Sequence, residues 1–183
     1  STILGVGGIV GVSALASAGK GPKYVPLRKP EEYYIPELPD KAAPGREIKV
    51  GVIGCGGRGS GAIQNLFDAA DGIRLTALGD VFPDRLEGLR KMAAEKLGQE
   101  VPDENCFIGF DAYQKVIDSG VDMIIDTTPP VFRPDHFKYA VQKGVHSFLE
   151  KPVAVDAKGY RTVMAAAKQA QAKGLCVVCG TQR

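Results

Sequence analysis

Residues 48–59 read Ile48-Lys49-Val50-Gly51-Val52-Ile53-Gly54-Cys55-Gly56-Gly57-Arg58-Gly59. The first seven form a short apolar run, as expected of a parallel strand buried on both faces. The last six are G-x-G-x-x-G, a motif that carries weight only where it leaves a strand and opens a helix. A helix is expected here, because Ile63, Leu66, Phe67 and Ala70 recur at i, i+3, i+4 and i+7. Each glycine then has a task. Gly54 makes the tight turn, Gly56 lets the backbone approach a pyrophosphate, and Gly59 lets the helix pack on the strand. Gly57 and Arg58 complete the loop. The helix N-terminus offers free N–H donors and a partial positive charge to phosphate.

A second strand is expected over residues 73–80, and it ends in Asp80, 21 residues after Gly59. A carboxylate there accepts hydrogen bonds from an adenosine ribose and repels a 2′-phosphate, which favours NAD over NADP. Arg58 and Arg85 lie near in sequence and could soften the preference, so NADP stays possible. Arg85 reads more simply as a solvated surface charge.

Outward from this unit the pattern repeats. Pro83 suits a first helical turn, and Leu86, Leu89, Ala93 and Leu97 then face inward. Strands are expected over 106–108, 123–125, 145–149 and 175–179. Asp111 caps a brief helix. Phe137, Ala140 and Val141 mark the next helix. Asp156 caps a long one, with Tyr160, Val163, Met164 and Ala167 turned inward. Five helices end near Gly72, Gly98, Gly120, Gly144 and Gly174, where glycine accepts the left-handed geometry of a helix stop. Strict strand–helix alternation gives right-handed crossovers and a parallel sheet covered on both faces. The fold class is therefore α/β, a Rossmann-type doubly wound sheet of about six strands over residues 48–183.

The flanking composition differs. Residues 3–18 are apolar, rich in Gly and Ala, and end in Ala16-Ser17-Ala18, a small-residue cleavage pattern. At this length the run is short for a membrane span, which needs about 20 residues. Residues 1–18 read as a partial export signal, similar to those of the twin-arginine route, and localisation as periplasmic or otherwise exported. If that reading fails, residues 3–18 are a buried segment and the protein is cytoplasmic. Residues 19–47 hold half of the 12 prolines, together with Tyr24, Tyr33 and Tyr34. Such density prevents a long helix or a central strand, so an extended arm is expected, either a linker or an anchor on a neighbouring subunit.

The whole chain has 183 residues, and its composition is ordinary for a globular protein. The formal net charge of +2 is spread along it, so no basic face and no nucleic-acid partner are expected. With only 2 histidines, no metal site is expected. The 4 cysteines are too few for a disulfide scaffold. Cys176 and Cys179 read as buried apolar residues, and Cys55 as a small filler beside the phosphates.

Ligands of such sheets bind at the carboxyl ends of strands. Those ends carry Asp126-Thr127-Thr128-Pro129-Pro130, Glu150-Lys151-Pro152 and Gly180-Thr181-Gln182-Arg183. Together with the glycine loop, His136 and the run from Val145 to Leu149 before Glu150, these segments resemble the Gfo/Idh/MocA oxidoreductases, which include glucose–fructose oxidoreductase and inositol dehydrogenase. The resemblance covers residues 48–183, and Glu-Lys-Pro in this place is its most specific element.

The resemblance implies roles. Lys151 would be the catalytic group, beside the nicotinamide and the substrate hydroxyl, where it aids proton removal. Glu150 would help hold the nicotinamide ribose. Thr127, Thr128 and Pro129 would line the cofactor, with His136 near it and Gln182 and Arg183 at the pocket border. His146 reads as structural, and Asp126 as a residue that shapes its loop. The implied reaction is hydride transfer from a secondary hydroxyl of a sugar or polyol to NAD or NADP. The alternatives are NAD-dependent glycoside hydrolysis, which some relatives perform, and a dinucleotide-binding module without catalysis. The family adds a C-terminal substrate domain absent from this sequence, so the chain is expected to be a truncated fragment, inactive alone, of a homo-oligomeric protein.

Overall fold

The apolar run at residue 48 becomes β1 (Ile48–Ile53), and the glycine loop opens α1 (Gly57–Ala69) in a computed structural model that describes residues 45–181. The chain then alternates: β2 (Ile73–Asp80), α2 (Pro83–Met92), β3 (Cys106–Ile108), α3 (Ala112–Asp118), β4 (Met123–Asp126), α4 (Arg133–Lys143), β5 (His146–Leu149), α5 (Ala157–Ala172) and β6 (Val177–Cys179). All strands pair in parallel, in the order β3-β2-β1-β4-β5-β6. This is the doubly wound order, with its topological switch between β1 and β4. The expected signal (1–18), most of the arm (19–47), Gln182 and Arg183 lie outside the described residues.

Alternation along each strand divides the core. Val50, Val52, Leu78 and Ile125 face Ile63, Leu86 and Leu89 on the side of α1 and α2. Ile53, Ala77 and Ile124 face Val116, Ile117 and Ala140 on the other side. There α4 and α5 add Phe137, Val141, Val163, Ala166 and Ala170 around Leu149. The helix stops follow the expected chemistry: Gly98 and Gly144 take the left-handed conformation, with φ of 63° and 78°. Gly72, Gly120 and Gly174 also have positive φ. Asp156 caps α5 by accepting the Gly159 N–H at 2.6 Å.

Three expectations are corrected. Asp111 precedes α3 but makes no capping bond. Its carboxylate pairs instead with Lys115 one turn on, at 2.9 Å. In α5 the inward stripe is Val163, Ala166 and Ala170, while Tyr160 and Met164 are exposed. The helix is rotated so that alanines meet α4, which allows a close approach. Cys176 and Cys179 are also exposed, because β6 is an edge strand paired only with β5. Cys55, by contrast, is buried as expected. Among the described residues no helix is long and apolar enough to cross a membrane.

Candidate functional site

A cleft of about 810 Å³ opens at the carboxyl edge of the sheet, over the switch between β1 and β4. The glycine loop forms its floor. Gly54 has φ of 89°, and a Cβ on it would lie 2.9 Å from the Thr128 nitrogen. A Cβ on Gly59 would sit 2.2 Å from the Gly54 carbonyl oxygen, so the first turn of α1 can approach the loop only as glycine. Gly56 and Gly57 border the cleft, and a Cβ at either would meet nothing within 4 Å. Gly56 is the N-cap of α1 and supplies no capping side chain. The first N–H groups of that helix have no intrahelical acceptor. The open space, the uncapped helix start and the absence of side chains together fit a pyrophosphate.

Asp80 closes one end. It is buried, its Oδ2 accepts the Cys55 N–H at 2.6 Å and its Oδ1 the Phe82 N–H at 2.9 Å. Both bonds hold the carboxylate at the edge of the cleft. Burial, with the Asp80 charge adding to it, pushes the Cys55 thiol far above its ordinary pKa, so it stays protonated beside the loop. Arg85 is exposed, yet it borders the cleft and lies over the Phe82 ring, 4.5 Å from its centre. Arg58 donates from Nε to Glu150 Oε1 at 2.6 Å.

The opposite wall is Thr127, Thr128, Pro129 and His136. Thr127 Oγ1 donates to the Gly54 carbonyl at 2.7 Å, fastening this wall to the glycine loop. Asp126 is fully buried, and its Oδ1 accepts from the Thr128 N–H and hydroxyl at 3.0 and 2.6 Å. Its Oδ2 lies 3.0 Å from His136 Nδ1. A carboxylate accepts, so Nδ1 is the donor in this contact. Tyr113 stacks on the same imidazole with centroids 4.1 Å apart.

Glu150 stands behind this wall. It is buried, and its Oε2 accepts the Lys151 N–H at 2.6 Å. Burial pushes its carboxyl pKa up, but the Arg58 hydrogen bond, the Lys151 N–H and the charges of Arg58 and Arg133 outweigh this and hold it below its ordinary value. The Lys151 side chain is exposed, on the turn that follows β5. Neither Glu150 nor Lys151 borders the cleft itself. His146 is structural, its Nδ1 accepting the Cys176 N–H at 2.9 Å.

The structure therefore brings Gly54, Gly56, Gly57, Arg58, Gly59, Asp80, Thr127, Thr128, Pro129 and His136 to one cleft. Sequence reasoning missed Phe82, Phe110, Tyr113, Phe132 and Arg133, which also line it. Phe82 could have been found two residues after Asp80. The others depend on how α3 and α4 lie against the sheet. No group of three or more His, Cys, Asp or Glu among the described residues could hold a metal ion.

Comparison with known proteins agrees with this geometry. A family model described as "Oxidoreductase family, NAD-binding Rossmann fold" matches residues 48–178. The chain is 32% identical over 114 residues to a glycosyl hydrolase family 109 protein of Solibacter usitatus, covering 61% of this chain and 25% of that protein. It is 29% identical over 109 residues to scyllo-inositol 2-dehydrogenase (NAD(+)) of Bacillus subtilis, covering 60% and 29%. The fold superposes on scyllo-inositol dehydrogenase from Lactobacillus casei with bound NAD(H) and scyllo-inositol, with a TM-score of 0.59 and 24% identity, covering 74% of this chain and 36% of that one. The chain thus spans about a quarter to a third of the length of these curated relatives. With that match over most of its length, the chain belongs to the Gfo/Idh/MocA oxidoreductase family and carries that family's NAD-binding Rossmann domain.

Proposed function

We propose that this chain is the cofactor-binding part of an enzyme that oxidises a secondary hydroxyl of a sugar or polyol. The observation that carries the reading is the Arg58–Glu150 pair, which ties the glycine loop to the turn bearing Lys151. NAD, when bound, supplies the hydride acceptor. Gly54 to Gly59 hold the pyrophosphate, and Asp80 accepts from the adenosine ribose and favours NAD over NADP. Thr127, Thr128, Pro129 and His136 line the cofactor on the side of β4. Glu150 supports the nicotinamide ribose. Lys151 donates a hydrogen bond to the substrate oxygen and stabilises its negative charge as the proton leaves.

Substrate-binding groups beyond these belong to a further domain of a homo-oligomeric protein. This chain alone binds cofactor and turns nothing over. Export of the folded, cofactor-loaded protein is part of the same reading, and cell fractionation tests it.

The test is the activity of the protein that carries this chain, assayed with sugars and polyols and NAD, beside a Lys151→Ala variant. A ketone or lactone product and loss of turnover in the variant support the proposal. Full turnover without Lys151 overturns the catalytic assignment. A second reading is favoured by the names of several relatives, which are glycosyl hydrolase family 109 proteins. In that reading the same oxidation is transient and a glycosidic bond is broken. A released sugar with no net NAD reduction would favour it.

A further inference from the structure

Arg133 opens α4, immediately before Pro134, and arginine is ordinarily an exposed residue. Yet the residue is only 4% exposed. Its Nη1 donates to the Glu150 carbonyl at 2.6 Å and also to the Pro152 carbonyl. Those two carbonyls flank Lys151, so one nitrogen bridges the turn on both sides of the lysine. The Lys151 N–H is bonded to Glu150 Oε2, and Glu150 Oε1 is bonded to Arg58. The backbone of the turn is therefore tied at every residue from 150 to 152, while the Lys151 side chain stays exposed.

This arrangement is costly, since Arg133 Nε is buried without a hydrogen-bond partner. Burial pulls the guanidinium down from its ordinary pKa, opposed by the charges of Asp126 and Glu150, and it remains a cation at neutral pH. Two backbone carbonyls are the polar partners of this buried arginine. Its planar guanidinium offers donors in fixed directions, which an ammonium on a flexible stem does not.

We propose that Arg133 is a positioning residue for Lys151: by bridging the carbonyls of Glu150 and Pro152 it fixes the turn that presents the Lys151 ammonium to the substrate oxygen. The inference rests on the role given to Lys151 above. It also makes a claim about the turn that holds without cofactor or substrate.

Two measurements test it. The first is hydrogen exchange at the Lys151 backbone N–H in the protein that carries this chain, without cofactor. Arg133→Met keeps a buried apolar stem and removes the donors, and is expected to speed that exchange about tenfold or more while β1 and β4 keep their rates. The second is turnover by the protein that carries this chain. Arg133→Met is expected to lower kcat by about ten- to a hundredfold, because a small misplacement of a reacting group is enough. KM for the substrate is expected to change less than about threefold, a split that general loss of structure would not produce. Arg133→Lys should fall between wild type and Arg133→Met in both measurements. If Arg133→Met does not fold, Arg133→Lys and Arg133→Gln replace it with the same expected direction. Unchanged exchange at Lys151, or unchanged kcat, overturns the proposal. Lys151→Ala separates this from the functional reading. If that variant keeps full turnover, Lys151 has no catalytic role, and the exchange result alone decides whether Arg133 holds the turn.

Discussion

Asp80 Oδ2 accepts the backbone N–H of Cys55 at 2.6 Å, across 25 residues of sequence. The carboxylate that would read the cofactor ribose is thus also a strut of the glycine loop. If Asp80 reads the ribose as proposed, recognition and loop shape share one side chain. Asp80→Ala should therefore do two things. It leaves the Cys55 N–H buried without an acceptor, lowering stability by about 1–3 kcal/mol. It should also weaken NAD by about tenfold and narrow the preference over NADP. Denaturant unfolding and calorimetric titration with both cofactors check the two halves. Retained preference would exclude Asp80 as the ribose reader.

Two glycines of one loop should respond differently to the same methyl group. In Gly59→Ala the new Cβ would meet the Gly54 carbonyl oxygen at 2.2 Å. Either α1 or the loop must move, and stability should fall by about 1–3 kcal/mol, together with NAD affinity. In Gly56→Ala the Cβ meets nothing within 4 Å, and φ of −70° suits alanine. Its stability should stay within about 0.5 kcal/mol of wild type. NAD affinity should nevertheless fall by about tenfold, because the methyl group stands where phosphate would lie. A Gly56→Ala protein with wild-type affinity would place the pyrophosphate elsewhere.

Acid should weaken the fold partly through Glu150. Its carboxyl is held below its ordinary pKa, mainly because the Arg58 bond and the Lys151 N–H outweigh the upward push of burial. A carboxyl that ionises more readily folded than unfolded adds stability above its unfolded pKa of about 4.3. That contribution disappears as pH falls through the lower folded value. Unfolding free energy measured between neutral pH and about pH 3 should thus fall less steeply in Glu150→Gln than in wild type. At neutral pH the substitution should cost about 1–3 kcal/mol. The lower part of that range is favoured, because the Arg58 side chain is 32% exposed and shares its charge with solvent.

The four thiols should label in an order set by exposure. Cys176 and Cys179 are exposed, Cys106 is half-buried, and Cys55 is buried with its pKa pushed far up. With a disulfide reagent at neutral pH, Cys176 and Cys179 should react first, Cys106 more slowly, and Cys55 only in denaturant. Mass spectrometry of the labelled peptides reads the order. Rapid labelling of Cys55 in the folded chain would mean that the glycine loop opens.

The fold was legible because each punctuation mark in the sequence has a local cause. Gly98 and Gly144 stop helices through their own backbone, whatever surrounds them. The G-x-G-x-x-G loop and Asp80 were legible for the same reason, since both lie at the end of a strand. What failed depended on neighbours. The apolar run 177–179 looks the same at a sheet edge as in its centre, and only pairing reveals β6 as an edge. Tyr160 and Met164 looked like core because they are larger than Ala166 and Ala170, yet close helix packing selects the small residues. Arg133 was not legible at all: nothing near it in sequence announces the carbonyls of residues 150 and 152.

The hydrogen bond from Thr127 to the Gly54 carbonyl joins residues 73 positions apart, and it sits on the seam where β4 docks beside β1. On a ribosome, β1, the glycine loop and β2 emerge long before β4 does. During that interval one side of β1 has no partner strand, and the cleft has one wall. The nascent chain therefore has no completed cradle for a nucleotide until residues 123–128 have left the exit tunnel and inserted. Non-local pairing of this kind is slow to form, and it exposes apolar strand surface while it waits. Substitutions that loosen the β1–β4 seam should accordingly reduce the yield of protein recovered from cells before they alter the ligand affinity of molecules that do fold.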